Sequence, residues 1–259
     1  MRCCAVSAVL AEVIRWRFYM SFKGFPERML PFLKENKERN DREWYFAHKP
    51  EFKTLVQEPF YALTDALSSV LQSIDPHIVT DPRRCLCHVY RDARRIKPGT
   101  SFYRDNMWTS YHRDSKLYPD APGYYFEVTQ SCLRFGLYWD PYNRSLIKSY
   151  RRYIVENAEE FRAALGRIRI FKADFEVFKK KRTEPIPHDL QVFYAAKELH
   201  FSCLDTELEH LQDPDIIETV KHAYLETSGL YEILSSLQPI QPEETDIHIP
   251  RNNITSFEW

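Results

Sequence analysis

The apolar positions of the chain change their spacing from helical to alternating and back. In the first third, the clearest run recurs at steps of four and three residues and predicts a helix: Val56, Phe60, Leu63, Leu67 and Val70. Pro59 lies inside this run, where it marks a kink or an early turn. Residues 26–40 also have a helical pattern, and Asp41 is placed to cap a second, short helix that Pro50 interrupts.

Alternation follows in the middle of the chain. Residues 84–91 alternate in a polar, thiol-bearing run, which predicts a strand, and residues 123–128 and 132–139 predict a hairpin. Helical patterns then return, with one short strand among them: helices at 145–156, 158–165, 188–199 and after Pro214, and a strand at 200–204. This order predicts an α+β fold, a single domain with a mainly antiparallel sheet packed by helices from the N- and C-terminal parts.

The chain divides into three predicted segments. Residues 1–19 are expected to be a non-native or disordered extension, because their apolar run is short and interrupted by Glu12, unlike a signal peptide. The expected initiator is then Met20 in place of Met1. Residues 20–236 are predicted to form the α+β domain. Residues 237–259 are polar, acidic and proline-bearing, which predicts a disordered tail.

Glycine content excludes the familiar nucleotide-binding enzymes. The 259 residues include six glycines, no two closer than thirteen positions. A Gly-x-Gly-x-x-Gly turn or a Gly-x-x-x-x-Gly-Lys loop needs glycines much closer together. Hydrophobic residues make up 44% and charged residues 28%, as in ordinary soluble proteins. No stretch reaches the roughly 18 apolar residues of a membrane span, so no membrane partner is expected.

Charge is distributed unevenly, although the formal net charge is only -1. Residues 83–113 contain eight Lys/Arg and two Asp/Glu, whereas residues 201–259 contain two Lys/Arg and twelve Asp/Glu. One interpretation is a basic site for an anionic ligand. The other is that the two regions neutralise each other within the fold, since charge alone does not specify chemistry.

The six cysteines favour free thiols in a reducing cytoplasm, because the chain is long and lacks a dense cysteine framework. Cys85, Cys87 and His88 could suggest zinc, but alternation in a strand places the two thiols on one face and the imidazole on the other. A second ligand pair with zinc-site spacing is missing from the sequence. The sequence therefore predicts neither a metal site nor a bound cofactor.

The densest polar cluster is the run His-Val-Tyr-Arg-Asp-Ala-Arg-Arg-Ile-Lys over residues 88–97. Arg91, Arg94 and Lys97 are candidate ligand-binding residues, since guanidinium groups match carboxylates and phosphates with paired hydrogen bonds. Asp92 and Arg94 are the candidate catalytic pair. Asp92 could hold an arginine in position, or act as a base if its pKa were raised. The alternative is an internal Arg–Asp network that ties the predicted strand to its loop.

Residues 20–236 resemble the domain-of-unknown-function family 2461 of bacterial and fungal proteins. Three stretches carry the resemblance: Phe25-Pro26, Phe32-Leu33, Asn40 and residues 42–49; Tyr-Arg-Asp-Ala-Arg over residues 90–94; and Gly-Tyr-Tyr over residues 123–125 with Gly-Leu-Tyr over residues 136–138. The family implies no established activity, and the length and order of elements agree with it.

The chain departs from the central motif of that family, which is Arg-Asp-x-Arg-Phe followed by a lysine, an Asp/Asn-Lys pair and a tyrosine. Arg91, Asp92, Arg94 and Lys97 match, but Arg95 stands at the phenylalanine position. Pro98 and Gly99 replace the Asp/Asn-Lys pair, and Phe102 stands at the tyrosine position. His88 stands where the family has an upstream arginine. An altered or lost site is therefore one expectation for this chain.

Two further candidates come from other segments. Glu43 and His48 lie near a predicted helix start and could join the arginine cluster, or they could serve the helix alone. Nucleic acid is a weaker expectation than a small anion. Aromatic residues do accompany the basic stretch, as base stacking would require: Tyr90, Phe102, Tyr103, Trp108 and Tyr111. The near-neutral chain lacks the high pI of such domains, however.

The sequence thus predicts a cytoplasmic protein that binds a phosphate- or carboxylate-bearing small ligand at its Arg/Asp/Lys cluster. If it is an enzyme, the arginines would stabilise negative charge. The rival hypothesis is a non-enzymatic protein-interaction module, in which the arginines pair with acidic residues of the C-terminal part.

Overall fold

The structure is a computed structural model that describes residues 22–173, 176–178 and 186–240. The predicted extension over residues 1–19 lies outside the described residues, as does the predicted tail from residue 241 onward. The first residues of that tail are described, and the hydroxyl of Ser149 donates a hydrogen bond to the carbonyl of Gln238.

The N-terminal part is helical, as its pattern predicts. Its elements are α1 Met29–Arg39, α2 Arg42–Ala47, α3 Lys49–Phe52, a π-helical turn Lys53–Gln57 and α4 Glu58–Ile74. Asn40 ends α1 in the left-handed conformation with φ 48°. The carboxylate of Asp41 then accepts hydrogen bonds from the backbone N–H groups of Glu43 (2.7 Å) and Trp44 (3.2 Å), so it caps α2 as expected.

The π turn explains how Pro59 fits within a continuous helical run. Proline lacks an N–H, and its ring clashes with the carbonyl four residues earlier, which here belongs to Leu55. The turn Lys53–Gln57 surrounds that carbonyl, and the N–H of Glu58 reaches back five residues to the carbonyl of Lys53. The wider turn therefore makes room for the ring, and Pro59 lies in the first turn of α4.

The sheet is antiparallel and has the order β1-β2-β3-β5-β4. Its strands are β1 Met107–His112, β2 Gly123–Val128, β3 Leu133–Trp139, β4 Lys172–Ala173 and β5 Leu199–Asp205. The predicted hairpin is confirmed, with Gly123 opposite Tyr138 and Val128 opposite Leu133. The predicted short strand corresponds to β5. Strand β1 was not predicted.

Two local predictions were wrong. Residues 84–91 do not form a regular strand: α5 Pro82–Cys85 is followed by an extended segment with isolated bridges at Leu86 and Tyr90. Residues 188–199 do not form one helix either. They begin with a 3-10 turn, His188–Leu190, continue into a single helical turn, α8 Gln191–Tyr194, and then lead into β5.

The longer helices of the C-terminal part are α6 Arg144–Glu156, α7 Ala158–Gly166, α9 Ile216–Glu226 and α10 Ser228–Ser236, and a 3-10 turn, Leu208–Gln212, precedes α9. Helices from both ends of the chain cover the same face of the sheet. Phe60 of α4 contacts Phe126 of β2 with ring centroids 6.4 Å apart, and Tyr224 of α9 contacts Tyr124 at 4.5 Å. This arrangement confirms a single α+β domain.

The opposite face of the sheet is only half-buried, as the alternating burial of β1 shows. Trp108, Ser110 and His112 project from β1 on that face, whereas Met107, Thr109 and Tyr111 are buried in the core. Within the described part of the chain, the helices are too short or too polar to cross a bilayer.

Candidate arginine-lined binding site

The site is built on an extended segment, residues 86–91, which we call the wall segment. It runs beside the edge of the sheet, where the N–H of Cys87 donates to the carbonyl of Trp108 at 2.9 Å. Farther along, the N–H of Arg91 donates to the carbonyl of Phe102, and the N–H of Arg104 donates to the carbonyl of Val89, both at 2.8 Å. This backbone pairing brings Arg91 and Arg104 onto neighbouring lengths of chain.

A cavity of about 700 Å³ opens between the wall segment and the half-buried face of β1. We call it the arginine cleft. Arg84, Arg91 and Arg104 line it together with the three residues that project from β1: Trp108, Ser110 and His112. Asp92 is the only carboxylate among the residues that line it.

Arg91 and Arg104 are the two uncompensated cations of the arginine cleft. The Nε atom of each is buried without a hydrogen-bond partner, and the ion pairs found among the described residues include neither guanidinium. Burial and the nearby charge of Arg91 lower the pKa of Arg104. Arg104 also lies over the ring of Trp108, 4.7 Å from its centroid. Neighbouring like charges that are partly withdrawn from water and lack ion-pair partners are unfavourable, so this half-buried pair is suited to an anion.

The remaining arginine of the cleft is already paired. Arg84 donates from Nη2 to the carboxylate of Asp114 at 2.8 Å, and its side chain is 55% exposed. The positive charge available to a ligand therefore comes chiefly from Arg91 and Arg104.

Arg94 and Asp92 form a local pair at the rim of the cleft. The carboxylate of Asp92 caps the 3-10 turn Ala93–Arg95 by accepting a hydrogen bond from the N–H of Arg94 at 3.1 Å. The guanidinium of Arg94, 87% exposed, binds the same carboxylate. The side-chain hydrogen bond from Arg94 is the main reason why the pKa of Asp92 lies below its usual range. The condition under which Asp92 would act as a general base, a raised pKa, is not met.

The structure does not bring the other predicted residues into the arginine cleft. Lys97 is exposed beyond the 3-10 turn, and Glu43 is exposed in the first turn of α2. His48 stacks on Trp44 with centroids 4.1 Å apart, and its Nδ1 lies 2.8 Å from the carbonyl of Trp44. Among the predicted candidates, Arg91 and Asp92 are the ones that line the cleft.

Arg104 was missed as a site residue, and Trp108 was named only among the aromatic residues that could stack on bases, although both belong to the basic, aromatic stretch. A signal was present, because Met107, Thr109 and Tyr111 alternate directly after Arg104 as buried strand positions do. Reading β1 from that alternation would have placed Trp108 on the opposite face, beside the arginines.

Aromatic side chains form a stacked ladder along the wall segment. The ring of Tyr90 lies 5.1 Å from that of His88 and 5.6 Å from that of Phe102, with interplanar angles of 13° and 2°. His88 and Tyr90 are exposed, and Phe102 is half-buried. Tyr103 and Tyr111, by contrast, are buried in the core and unavailable to a ligand.

The acidic C-terminal part does not neutralise the arginines within the region that the structure describes. The arginines of residues 83–113 that form ion pairs use carboxylates outside the acidic part: Asp75 for Arg113, Asp114 for Arg84, and Asp92 for Arg94. Asp205, from the acidic part, pairs with His210 instead.

The thiols of Cys85 and Cys87 lie next to the site but are not activated. Burial raises the pKa of Cys87 to about 11 and that of Cys85 to about 12. Both thiols are free, as are those of Cys132 and Cys203. Across the described ranges, no group of three or more His, Cys, Asp or Glu side chains is arranged to hold a metal ion.

A sequence model described as conserved hypothetical protein (DUF2461) matches residues 28–232. No curated protein and no solved structure matches the chain.

Proposed function

The chain belongs to the DUF2461 family of conserved hypothetical proteins, and we propose that it binds a small phosphate- or carboxylate-bearing ligand in the arginine cleft. The observation that carries this proposal is the pair Arg91 and Arg104, whose buried Nε atoms lack hydrogen-bond partners among the described residues. An anion between them would accept hydrogen bonds from both guanidinium groups and offset their mutual repulsion.

The surroundings support an anion more than a neutral ligand. The ring of Trp108 holds Arg104 by a cation–π contact, so the guanidinium is positioned before a ligand arrives. Ser110 and His112 add polar groups to the floor of the cleft. A preformed pocket with a few convergent polar groups is typical of small-molecule sites.

We propose binding without assigning a chemical step. The carboxylate of Asp92 is held ionised by Arg94, and burial keeps the Cys87 thiol protonated. Neither group therefore has the pKa of an activated base or nucleophile.

Calorimetric titration with pyrophosphate and with citrate tests this proposal. Arg91→Ala and Arg104→Ala should each weaken binding about tenfold or more, since a charge-assisted hydrogen bond is worth about 1.5–3 kcal/mol. Arg95→Ala is the matched control, because Arg95 is a neighbouring arginine whose side chain is 88% exposed. If both cleft variants bind these anions as the wild type does, the proposal is wrong.

A cytoplasmic location is part of the proposal. Its support is that the described cysteines are free, including Cys85 and Cys87 two positions apart. Free thiols persist in reducing compartments. Fractionation of cells that express the full chain would check it.

A further inference from the structure

A second cavity, of about 620 Å³, lies on the other side of the wall segment. We call it the lysine cleft. The two cavities share Leu86, Cys87, His88 and Tyr90, so only the wall segment separates them. The far side of the lysine cleft is formed by α3, the π turn and the start of α4.

The π turn aligns one row of side chains along the lysine cleft. Lys49, Lys53, Gln57 and Tyr61 follow one another at steps of four and all face this cavity. In a regular α-helix, with 3.6 residues per turn, such steps drift steadily around the axis. The π turn takes more residues per turn and offsets that drift, and π-bulges often occur at functional sites. Gln57 and Tyr61 are also joined by a hydrogen bond of 2.7 Å.

The charged side chains that line the lysine cleft are all cations. Lys49, Lys53 and Arg83 line it, and its lining includes no carboxylate. The ion pairs within the described part of the chain involve neither Lys49 nor Arg83, and that of Lys53 with Glu58 is loose, at 3.7 Å. Among the residues that line the two clefts, Asp92 is therefore the only carboxylate, and Arg94 already binds it.

Planar rings occupy the ridge between the two clefts. His88 and Tyr90 line both cavities and stack on each other, and the His88 side chain is exposed. Among the described residues, the His88 ring stacks only on Tyr90. An exposed planar ring flanked by cations suits an aromatic base flanked by phosphates.

We propose that the two clefts are subsites of one site, and that the ligand is a nucleoside carrying phosphate groups on both sides of its sugar. One phosphate would lie between Arg91 and Arg104, the other near Lys49, Lys53 and Arg83, and the base would stack on the His88–Tyr90 ridge. This chemistry is shared by a free nucleoside bisphosphate and by one unit of a single-stranded nucleic acid. The inference rests on the proposed function, because it uses the arginine cleft for the first phosphate.

The test is a titration of the full chain with four probes. These are pyrophosphate, adenosine 5′-monophosphate, adenosine 3′,5′-bisphosphate, and a single-stranded oligonucleotide of about eight nucleotides, a length typical of single-strand sites. We expect the bisphosphate to bind about tenfold more tightly than the monophosphate, because one added charge-assisted hydrogen bond raises affinity by about that factor. Tighter binding of the oligonucleotide per site than of the bisphosphate would assign the ligand to nucleic acid, and the reverse to a free nucleotide.

Variants locate the second phosphate. The double change Lys49→Ala/Lys53→Ala, and separately Arg83→Ala, should remove the advantage of the bisphosphate while leaving pyrophosphate binding unchanged. Lys34→Ala is the matched control, since Lys34 is an exposed lysine on α1 outside both clefts. Circular dichroism would check that each variant is folded.

Two outcomes overturn the inference but leave the proposed function intact, provided that the wild type binds pyrophosphate and Arg91→Ala binds it more weakly. One is equal affinity for the monophosphate and the bisphosphate. The other is a bisphosphate advantage that survives both lysine-cleft variants. Loss of pyrophosphate binding itself, by contrast, would remove the proposed function and this inference together.

Discussion

The guanidinium of Arg94 binds both carboxylate oxygens of Asp92, with Nε 3.0 Å from Oδ1 and Nη2 2.9 Å from Oδ2. The partners are two positions apart in the sequence, and both belong to one exposed turn. The arginine that the sequence placed at the centre of the site is therefore engaged with its neighbour, whereas Arg91, three positions earlier, lines the arginine cleft.

Arg94→Ala should leave anion affinity within about twofold of the wild-type value, because an exposed ion pair contributes little in solvent. Arg91→Ala serves as the comparison, since it removes the same type of side chain from a position that lines the cleft. Titration of both variants with pyrophosphate decides the point. A loss for Arg94→Ala as large as that for Arg91→Ala would show that Arg94 leaves Asp92 to contact the ligand.

Asp75 joins three elements of the core and should be critical for stability. It is 4% exposed and accepts hydrogen bonds from Arg113 Nε (2.6 Å), the Tyr231 hydroxyl (2.7 Å) and the N–H of His77 (2.9 Å). Asp75→Ala would leave a largely buried guanidinium and a buried hydroxyl unpaired, lowering the free energy of unfolding by about 3 kcal/mol. Urea denaturation measures this loss.

Tyr231→Phe is the milder companion change, since it removes one hydrogen bond and keeps the ion pair. It should lower the free energy of unfolding by about 2 kcal/mol. Equal losses for the two variants would mean that the ion pair with Arg113 adds nothing.

The same carboxylate predicts a dependence of stability on pH. Burial raises the pKa of Asp75, but the hydrogen bonds from His77, Tyr231 and Arg113 outweigh it, so the pKa lies below its usual range in the folded protein. A depressed folded-state pKa means that the stabilisation is complete above the unfolded-state value, about 3.9. It is then lost as the pH falls through the folded-state value.

The wild type should therefore lose more free energy of unfolding than Asp75→Asn when the pH is lowered below about 4. Urea midpoints at a series of pH values from neutral to acid would measure both proteins. Parallel curves would show that Asp75 has the same pKa in the folded and unfolded chains.

Cys85 and Cys87 should be nearly inert towards maleimide in the folded protein. With a pKa raised by burial to about 11, Cys87 is a thiolate in roughly one molecule in a thousand at pH 8. Mass spectrometry of alkylated peptides, with and without urea, separates these thiols from the other cysteines. Labelling of Cys87 at the same rate in both conditions would indicate an activated thiol and reopen the question of a nucleophile beside the arginine cleft.

Sequence periodicity predicted those elements whose pattern is local. Asp41 caps α2 through N–H groups that lie two and three positions later in the chain, and the hairpin of β2 and β3 needs only a short connection. Helical composition over residues 188–199 was misleading, because Leu199 pairs with Trp139 of β3 and the chain must be extended from that point. Tertiary pairing overrides a weak helical preference in so short a segment.

Strand β1 and the extended wall segment were not predicted correctly from periodicity, for the same reason. Each consists of residues that alternate only briefly, and the wall segment is extended because its N–H groups bond to carbonyls of residues 102–108. Such a segment takes its conformation from its partner, so its own side chains do not specify it.

By itself, the sequence determined the α+β class, the hairpin and the cap of α2 by Asp41, and it offered a contact of Asp92 with an arginine as one interpretation. These features depend on residues close together in the chain. The tertiary structure alone decided that Arg91 meets Arg104 and that Lys49 faces Arg83 across a second cavity. These neighbours come from separate segments, and only the pairing of the wall segment with the edge of the sheet brings them together. The charge count located a basic stretch, but partial burial and the absence of ion-pair partners among the described residues selected the cations to which the proposal assigns binding.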